Sequence, residues 1–266
     1  RKGFDVWFRG KAQDGCFAWT YRAESDQLSA ICVYDTQTDQ RINDAGDILP
    51  GPALKLCTFK VGEVVRGRKI GELFLKAAFR FASDKRSENI FITANAEDQD
   101  YLIRVLEDFG FEQRGTYQGD MVLVKTHPVA PPSATGIAPT DYVRQFFPHY
   151  RTDHEVQKFL IPIQPGYHEI LFPDYASTQG SLFGTGGDVG NAIKLAYLCH
   201  TPTKSIRPGD VLLFYRTKDE MSVTTIGVVD QFEISEDSSQ IASLVSRRTV
   251  YSIDEIETLP SEEGEV

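Results

Sequence analysis

Three basic side chains and two glycines stand together in Arg66-Gly67-Arg68-Lys69-Ile70-Gly71, where a strand pattern gives way to a helix pattern. Leu54 to Val61 reads as a strand, and from Lys69 the apolar positions Ile70, Leu73, Phe74, Ala77, Ala78 and Phe81 follow i, i+3, i+4 spacing. A helix N-terminus offers backbone amides without intrahelical acceptors and the positive end of the helix dipole. Glycines let that backbone come close to a ligand. The chemistry this spacing suits is capture of a phosphate-bearing anion.

The other reactive residue types carry less. Cys16, Cys32, Cys57 and Cys199 form neither a CxxC pair nor a Cys/His cluster with zinc spacing, and three of them sit in apolar, strand-like runs. They read as small buried hydrophobes in a reducing, cytoplasmic setting, and no metal is expected. The run Gly180 to Asn191 is rich in glycine and could approach a ligand backbone, but it lacks the Lys-Ser/Thr ending of a P-loop. Arg247-Arg248 is either a solvated strand edge or a phosphate contact.

Positioning these residues falls to two expected domains. Four prolines in His127 to Pro139 interrupt helix and strand alike, so the boundaries predicted are 1–126, a linker 127–139, a second domain 140–260 and an acidic tail 261–266. Residues 1–126 carry 18 basic and 19 acidic residues, whereas 127–266 carry 10 and 19. An acidic second half excludes nucleic-acid binding by bulk phosphate attraction, so any such recognition there must be local. No apolar run approaches the roughly 20 residues of a bilayer span. The chain starts at Arg1 with no secretory pattern and looks like part of something longer.

Within the first domain, Phe4–Phe8, Cys16–Arg22, Leu28–Tyr34 and Leu54–Val61 read as strands, followed by a helix from Ile70, a strand at Asn89–Ala94, a helix at Asp100–Phe109 ending at Gly110, and a strand at Met121–Val124. The order predicted is ββββαβαβ. In the second domain, Asp141–Phe147 and Val156–Leu160 are short, Gly190–His200 reads as a helix, and Ile206–Arg216 and Thr224–Ile234 read as strands.

The segment Leu54 to Leu73 resembles the acyl-CoA signature of the GNAT acetyltransferases, a strand ending in Arg/Gln-x-x-Gly-x-Gly/Ala at the start of a long helix. Arg66, Gly67 and Gly71 match it, while Lys69 replaces the central glycine, either adding a charge toward phosphate or crowding the turn. Asn95 at a strand end, and Leu106-Glu107-Asp108-Phe109-Gly110-Phe111 in place of Tyr-x-x-x-Gly-Phe, extend the resemblance over residues 4–125. It implies an α/β (α+β) fold with a central mixed sheet and acetyl-CoA as cofactor. Phe59, Lys60 and Val61 would pair with pantetheine, and Arg66, Gly67, Arg68, Lys69, Ile70, Gly71 and Asn95 would complete the site. It also implies attack of a neutral amine on the thioester, with Glu63 as candidate general base or merely a solvated loop glutamate. Leu106 stands where the family's proton-donating tyrosine would be, and the family's first strand and next two helices would lie before Arg1.

Ile206 to Arg216, with its Pro208-Gly209-Asp210 turn, and Thr225 to Val229 resemble the PUA-like superfamily, including ASCH and EVE domains, over about residues 150–256. That resemblance implies a C-terminal β-barrel with an aromatic cleft for RNA or a modified base. Tyr167, His168, Phe172, Tyr175, Tyr197, Tyr215, Arg216, Arg247 and Arg248 are the candidate contacts, each of which could instead be core or ordinary surface. The domain order resembles bacterial arrays in toxin-antitoxin or RNA-processing settings, sometimes preceded by a PIN nuclease. The function expected is an acyl-CoA-dependent N-acetyltransferase with an RNA- or modified-base-binding module. The alternative is a non-catalytic acyl-CoA-binding or scaffold domain joined to that module.

Overall fold

The computed structural model describes residues 4–23, 26–97, 99–176, 188–200, 203–245 and 248–263. They divide into two units: residues 1–133 with 144–149, and residues 134–143 with 150–266.

The first unit begins with helix α1 (Phe4–Gln13), then strands β1 (Phe17–Arg22), β2 (Leu28–Thr38) and β3 (Pro52–Val61), helix α2 (Ile70–Asp84), β4 (Asn89–Ala94), α3 (Asp100–Asp108), β5 (Glu112–Tyr117) and β6 (Asp120–Thr126). Its sheet has the order β1-β2-β3-β4-β6-β5, antiparallel except for the β3–β4 pair. This is a mixed α/β fold around a central mixed sheet, as expected. Two parallel neighbours joined through α2 require a crossover, which is why the apolar period changes from two to 3.6 and back between residues 54 and 94.

Register sorts the core. Ala53, Phe91, Val122 and Val124 cluster with Ile42 on one side of the sheet. Leu54 and Leu56 pair with Ile90 and Ile92, which oppose Lys125 and Leu123. These belong to the face covered by α2, whose Phe81 ring meets Tyr34 edge-on at 4.9 Å while Tyr34 stacks on Trp19 at 3.9 Å.

In the first unit the strand expected at Phe4–Phe8 is part of α1. A five-residue aromatic run fits either period, and Phe4, Trp7, Phe8 and Lys11 fall on helical spacing. Strand β5 went unanticipated because all six of its residues are exposed, leaving no alternation to read.

The second unit contains most of α4 (Pro139–Phe146), then β7 (Lys158–Ile163), α5 (Pro165–Leu171), α6 (Pro173–Ala176), β8 (Val211–Arg216), β9 (Ser222–Val228), α7 (Ser238–Val245) and α8 (Ile253–Glu263). Its three strands form a sheet ordered β7-β8-β9, with β7 and β8 parallel and β9 antiparallel to β8. Among the described residues this is an open sheet; a closed barrel of the PUA-like kind is not present. Ile163, Leu171 and Phe214 centre its core. The helix expected at Gly190–His200 is instead a single 3-10 turn at Asp188–Asn191, and beyond it the Ala196 amide donates to the Arg248 carbonyl. A long-range backbone bond there replaces the helical one.

Candidate functional site

Strand β3 outruns its parallel neighbour. Its pairing with β4 stops at Leu56↔Ile92, while its pairing with β2 continues to Ala30↔Val61. Val33 faces Thr58 and Tyr34 faces Leu56, so Cys57 is an extra residue, a bulge that bends the strand where it parts from β4. The edge of Cys57–Val61 turned away from β2 therefore has no β4 partner strand.

At the end of β3, the Gly62 amide donates to Ser29 O at 2.8 Å, and a Cβ at Gly62 would lie 2.6 Å from that same oxygen. Only glycine fits. A 3-10 turn at Glu63–Val65 leads to Gly67, at φ +80°, and to Lys69, the N-cap of α2, at φ +57°. The position where the acyl-CoA signature has glycine is thus a left-handed one, a conformation that costs a residue with a Cβ roughly 1–2 kcal/mol. Lys69 adopts it with its ammonium 3.9 Å from the buried Glu72 carboxylate, so its charge faces the first turn of the helix. The first i to i−4 bond of α2 runs from the Leu73 amide to Lys69 O, so the amides of residues 70–72 precede the helical ladder.

The other expected contacts sort into three groups. Arg66 is exposed, with a guanidinium nitrogen 3.7 Å from the equally exposed Glu63 carboxylate. Arg68 lies over the Tyr21 ring at 5.8 Å, and Lys60 is exposed on β3. Phe59 is buried, edge-on to Phe74 at 5.7 Å, and underlies Gly71, where a Cβ would touch its ring at 3.8 Å. Ile70 is core. The Asn95 side chain donates to Asp120 at 3.0 Å and accepts from the Glu97 amide at 3.1 Å, which fixes the turn into α3. Leu106, at the position that the resemblance matches to a tyrosine, is fully buried.

In the second unit, Arg216 does not face outward as expected of a phosphate contact. It is buried and bonded to Asp219 at 2.5 and 3.0 Å and to Glu169 at 2.9 Å, which holds the Asp219 carboxyl down to about 2. It also donates to His168 Nδ1 at 3.3 Å, so the other ring nitrogen carries the proton given to Thr224 Oγ1 at 2.7 Å. His168 is accordingly a buried neutral imidazole, its pKa lowered by burial and then by Arg216. Tyr215 is half-buried on the opposite face of β8, and Tyr167 sits 5.5 Å from the Tyr251 ring. Tyr175 bonds Glu220, Tyr197 bonds Pro162 O, and Phe172 packs on Phe214. Arg248 donates to Lys194 O at 2.8 Å. Arg247 and most of the glycine-rich run lie outside the described residues. Among the described residues, His168, Phe172, Tyr175, Tyr197 and Arg216 come together through packing and hydrogen bonds with one another and with Phe214.

Lys125 and His127 are among the buried polar residues that the sequence alone does not single out. Lys125 is fully buried on β6, donates to Arg144 O at 3.1 Å and Gln145 O at 2.9 Å, and is lowered to about 7 by burial. His127, also buried, shares a hydrogen bond with Ser83 at 3.0 Å and is lowered to about 4 by burial, with Lys125 and His149 adding to the effect. The alternation Met121, Leu123, Lys125 placed that lysine on an inward face, which was its one available signal. Among the described residues no group of three or more His, Cys, Asp or Glu could hold a metal, and no helix is long and apolar enough to cross a membrane.

No family model matches the chain, and no curated protein matches it. Solved structures similar to it include an acetyl-CoA-bound GNAT family acetyltransferase from Elizabethkingia anophelis, at 10% identity, covering 45% of this chain and 82% of that one with a TM-score of 0.35. PaiA N-acetyltransferase from Thermoplasma acidophilum, in complex with coenzyme A, is 13% identical, covering 48% of this chain and 79% of its own, again with a TM-score of 0.35. The AtaT toxin bound to the C-terminus of the antitoxin AtaR is 12% identical, covering 45% and 72% at a TM-score of 0.35. Similarity at this level identifies neither a reaction nor a ligand for this chain.

Proposed function

We propose that the first unit binds acetyl-CoA and transfers its acyl group to an amine. The observation that carries this reading is the parting of β3 from β4 after Leu56↔Ile92, opposite the glycine-bearing turn that starts α2. An unpaired strand edge suits the amides of a pantetheine arm, and amides at a helix N-terminus suit the pyrophosphate. Arg66, exposed on the same turn, supplies positive charge, while Gly67 and Gly71 keep the backbone approachable.

The thioester supplies an activated acyl carbon when acetyl-CoA is bound. The unpaired edge of β3 orients the carbonyl toward the acceptor. As the amine nitrogen bonds to that carbon and the C–S bond breaks, the amine proton passes to a base. Glu63 is assigned that role, its carboxylate held by Arg66 in the free protein. With Leu106 buried, the departing thiolate takes its proton from water and not from that position.

That same buried leucine favours a second reading, acyl-CoA binding without transfer. Calorimetric titration with acetyl-CoA and desulfo-CoA, joined to a thiol-release assay with a panel of primary amines, separates the two. Saturable heat that falls at least tenfold in affinity for Arg66→Glu, with amine-dependent thiol release, is the expected result. Heat without thiol release leaves binding alone, and no heat and no thermal shift removes the acyl-CoA reading.

A further inference from the structure

The two faces of the sheet in the second unit differ in what they meet. One carries Ile161, Ile163, Leu212 and Phe214, which pack with Leu171 in the core. Register places Leu160, Leu213 and Ile226 in one row across the other face, and Pro162, Tyr215 and Val223 in the next. The bulge between β8 and β9 preserves these rows. Its extra residue, Thr224, turns to His168 on the core side, so Val223 and Ile226 stay together on the outer face.

A sheet with one solvated face ordinarily alternates apolar inward with polar outward. Here the outward set is apolar or aromatic. Leu160 is 60% exposed, Ile226 49% and Val223 48%, Pro162 is exposed, and Leu213 and Tyr215 lie half-buried between them. Neither row contains a charged side chain. The adjoining row starts with Lys158, whose ammonium is turned to the carbonyls of Asp153 and Val156 at 2.6 and 2.8 Å.

Area and charge select the occupant. Exposures of this size leave roughly 400–500 Å² open over the two rows, comparable to the largest apolar patch on a typical monomer, which is often functional. Two copies laid face to face bury about twice that, close to the ~1,000 Å² floor of a specific interface. An uncharged face offers nothing to a basic or an acidic segment, whereas the same patch on both partners is self-complementary about a two-fold axis. The acidic second half repels its own copy, and with so small an area this makes the association weak; salt screens that repulsion.

We propose that this face is the interface of a weak homodimer, in which two copies of the chain pack the rows Leu160-Leu213-Ile226 and Pro162-Tyr215-Val223 against one another. The interface belongs to the second unit and does not rest on the acyl-CoA reading.

The test is sedimentation equilibrium of the whole chain over about a thousandfold range of concentration, at low and high sodium chloride. The expected result is a mass that rises from one chain to two, with tighter association at high salt. Leu160→Lys and Ile226→Lys, both at exposed positions, should each weaken the dimer about tenfold or more. Leu244→Lys, at an exposed position on α7, should leave it unchanged. Circular dichroism checks that all three variants fold. A constant one-chain mass overturns the proposal, as does a dimer that neither face substitution weakens, that Leu244→Lys weakens equally, or that high salt dissociates.

Discussion

His127 and Lys125 bury two basic groups side by side, and each has a consequence for stability. The ordinary histidine pKa of 6.5 falls to about 4 in His127. Between those values the unfolded chain binds more protons than the folded one, so folding stability rises with pH across the window. It is complete above 6.5 and lost as pH falls toward 4, a loss on the order of 3 kcal/mol for 2.5 units at 1.36 kcal/mol each. Lys125, lowered from 10.5 to about 7, adds a second rise in the same direction between those two values. Both tryptophans, Trp7 and Trp19, belong to the first unit, so tryptophan fluorescence reports its unfolding alone. Denaturant midpoints of His127→Gln should flatten against pH below 6.5 relative to wild type, and those of Lys125→Met above 7. Parallel profiles for wild type and variants would contradict the assignment.

At the scale of elements, the end of α3 shows how a glycine read from sequence acquires a measurable role. The Phe111 amide bonds Leu106 O at 3.1 Å and the Gly110 amide bonds Glu107 O at 2.9 Å, the paired bonds of a Schellman ending with Gly110 left-handed at φ +80°. A Cβ there would lie 2.1 Å from the Arg144 carbonyl oxygen, the atom that also accepts from Lys125. Gly110→Ala should cost at least about 3 kcal/mol, combining the left-handed penalty with displacement of backbone. Gly119, at φ +89° in the β5–β6 turn, has nothing within 4 Å of its Cβ position. Gly119→Ala should therefore cost only the conformational share, about 1–2 kcal/mol. Equal losses in denaturant unfolding would contradict the steric argument. The glycine as helix stop was legible because helix ends have local chemistry, and α2 and β4 were legible because their periods are strong. The burden of Arg144 on Gly110 was not, since it joins residues 34 positions apart. The same limit hid the bulge at Cys57, which exists only in the register between β2 and β3.

At the scale of the whole chain, the proline-rich seam was visible in composition, but the path of the chain beyond it was not. Residues 134–143 group with the second unit and 144–149 return to the first. That return is anchored within the first unit by Lys125 on the carbonyls of Arg144 and Gln145, by Phe147 edge-on to Phe79 at 5.2 Å, and by His149 on Pro128 O. No local pattern in Arg144 to His149 announces this, because its partners lie on β6, on α2 and in the seam. We retain the proposal of two domains with a seam at 127–139, and the anchoring makes its proteolysis distinctive. The seam contains no Lys or Arg, so trypsin has no site in it, whereas thermolysin can cut before Ile137 or Val129. One nick there leaves residues 144–149 on the C-terminal fragment but bound into the first unit. The two fragments should therefore co-elute in native size-exclusion chromatography and separate in denaturant, and Lys125→Met combined with Phe147→Ala should let them part without it. Fragments that separate at once under native conditions would show that residues 144–149 do not hold the first unit, while resistance of the seam to thermolysin would count against the two-domain proposal itself.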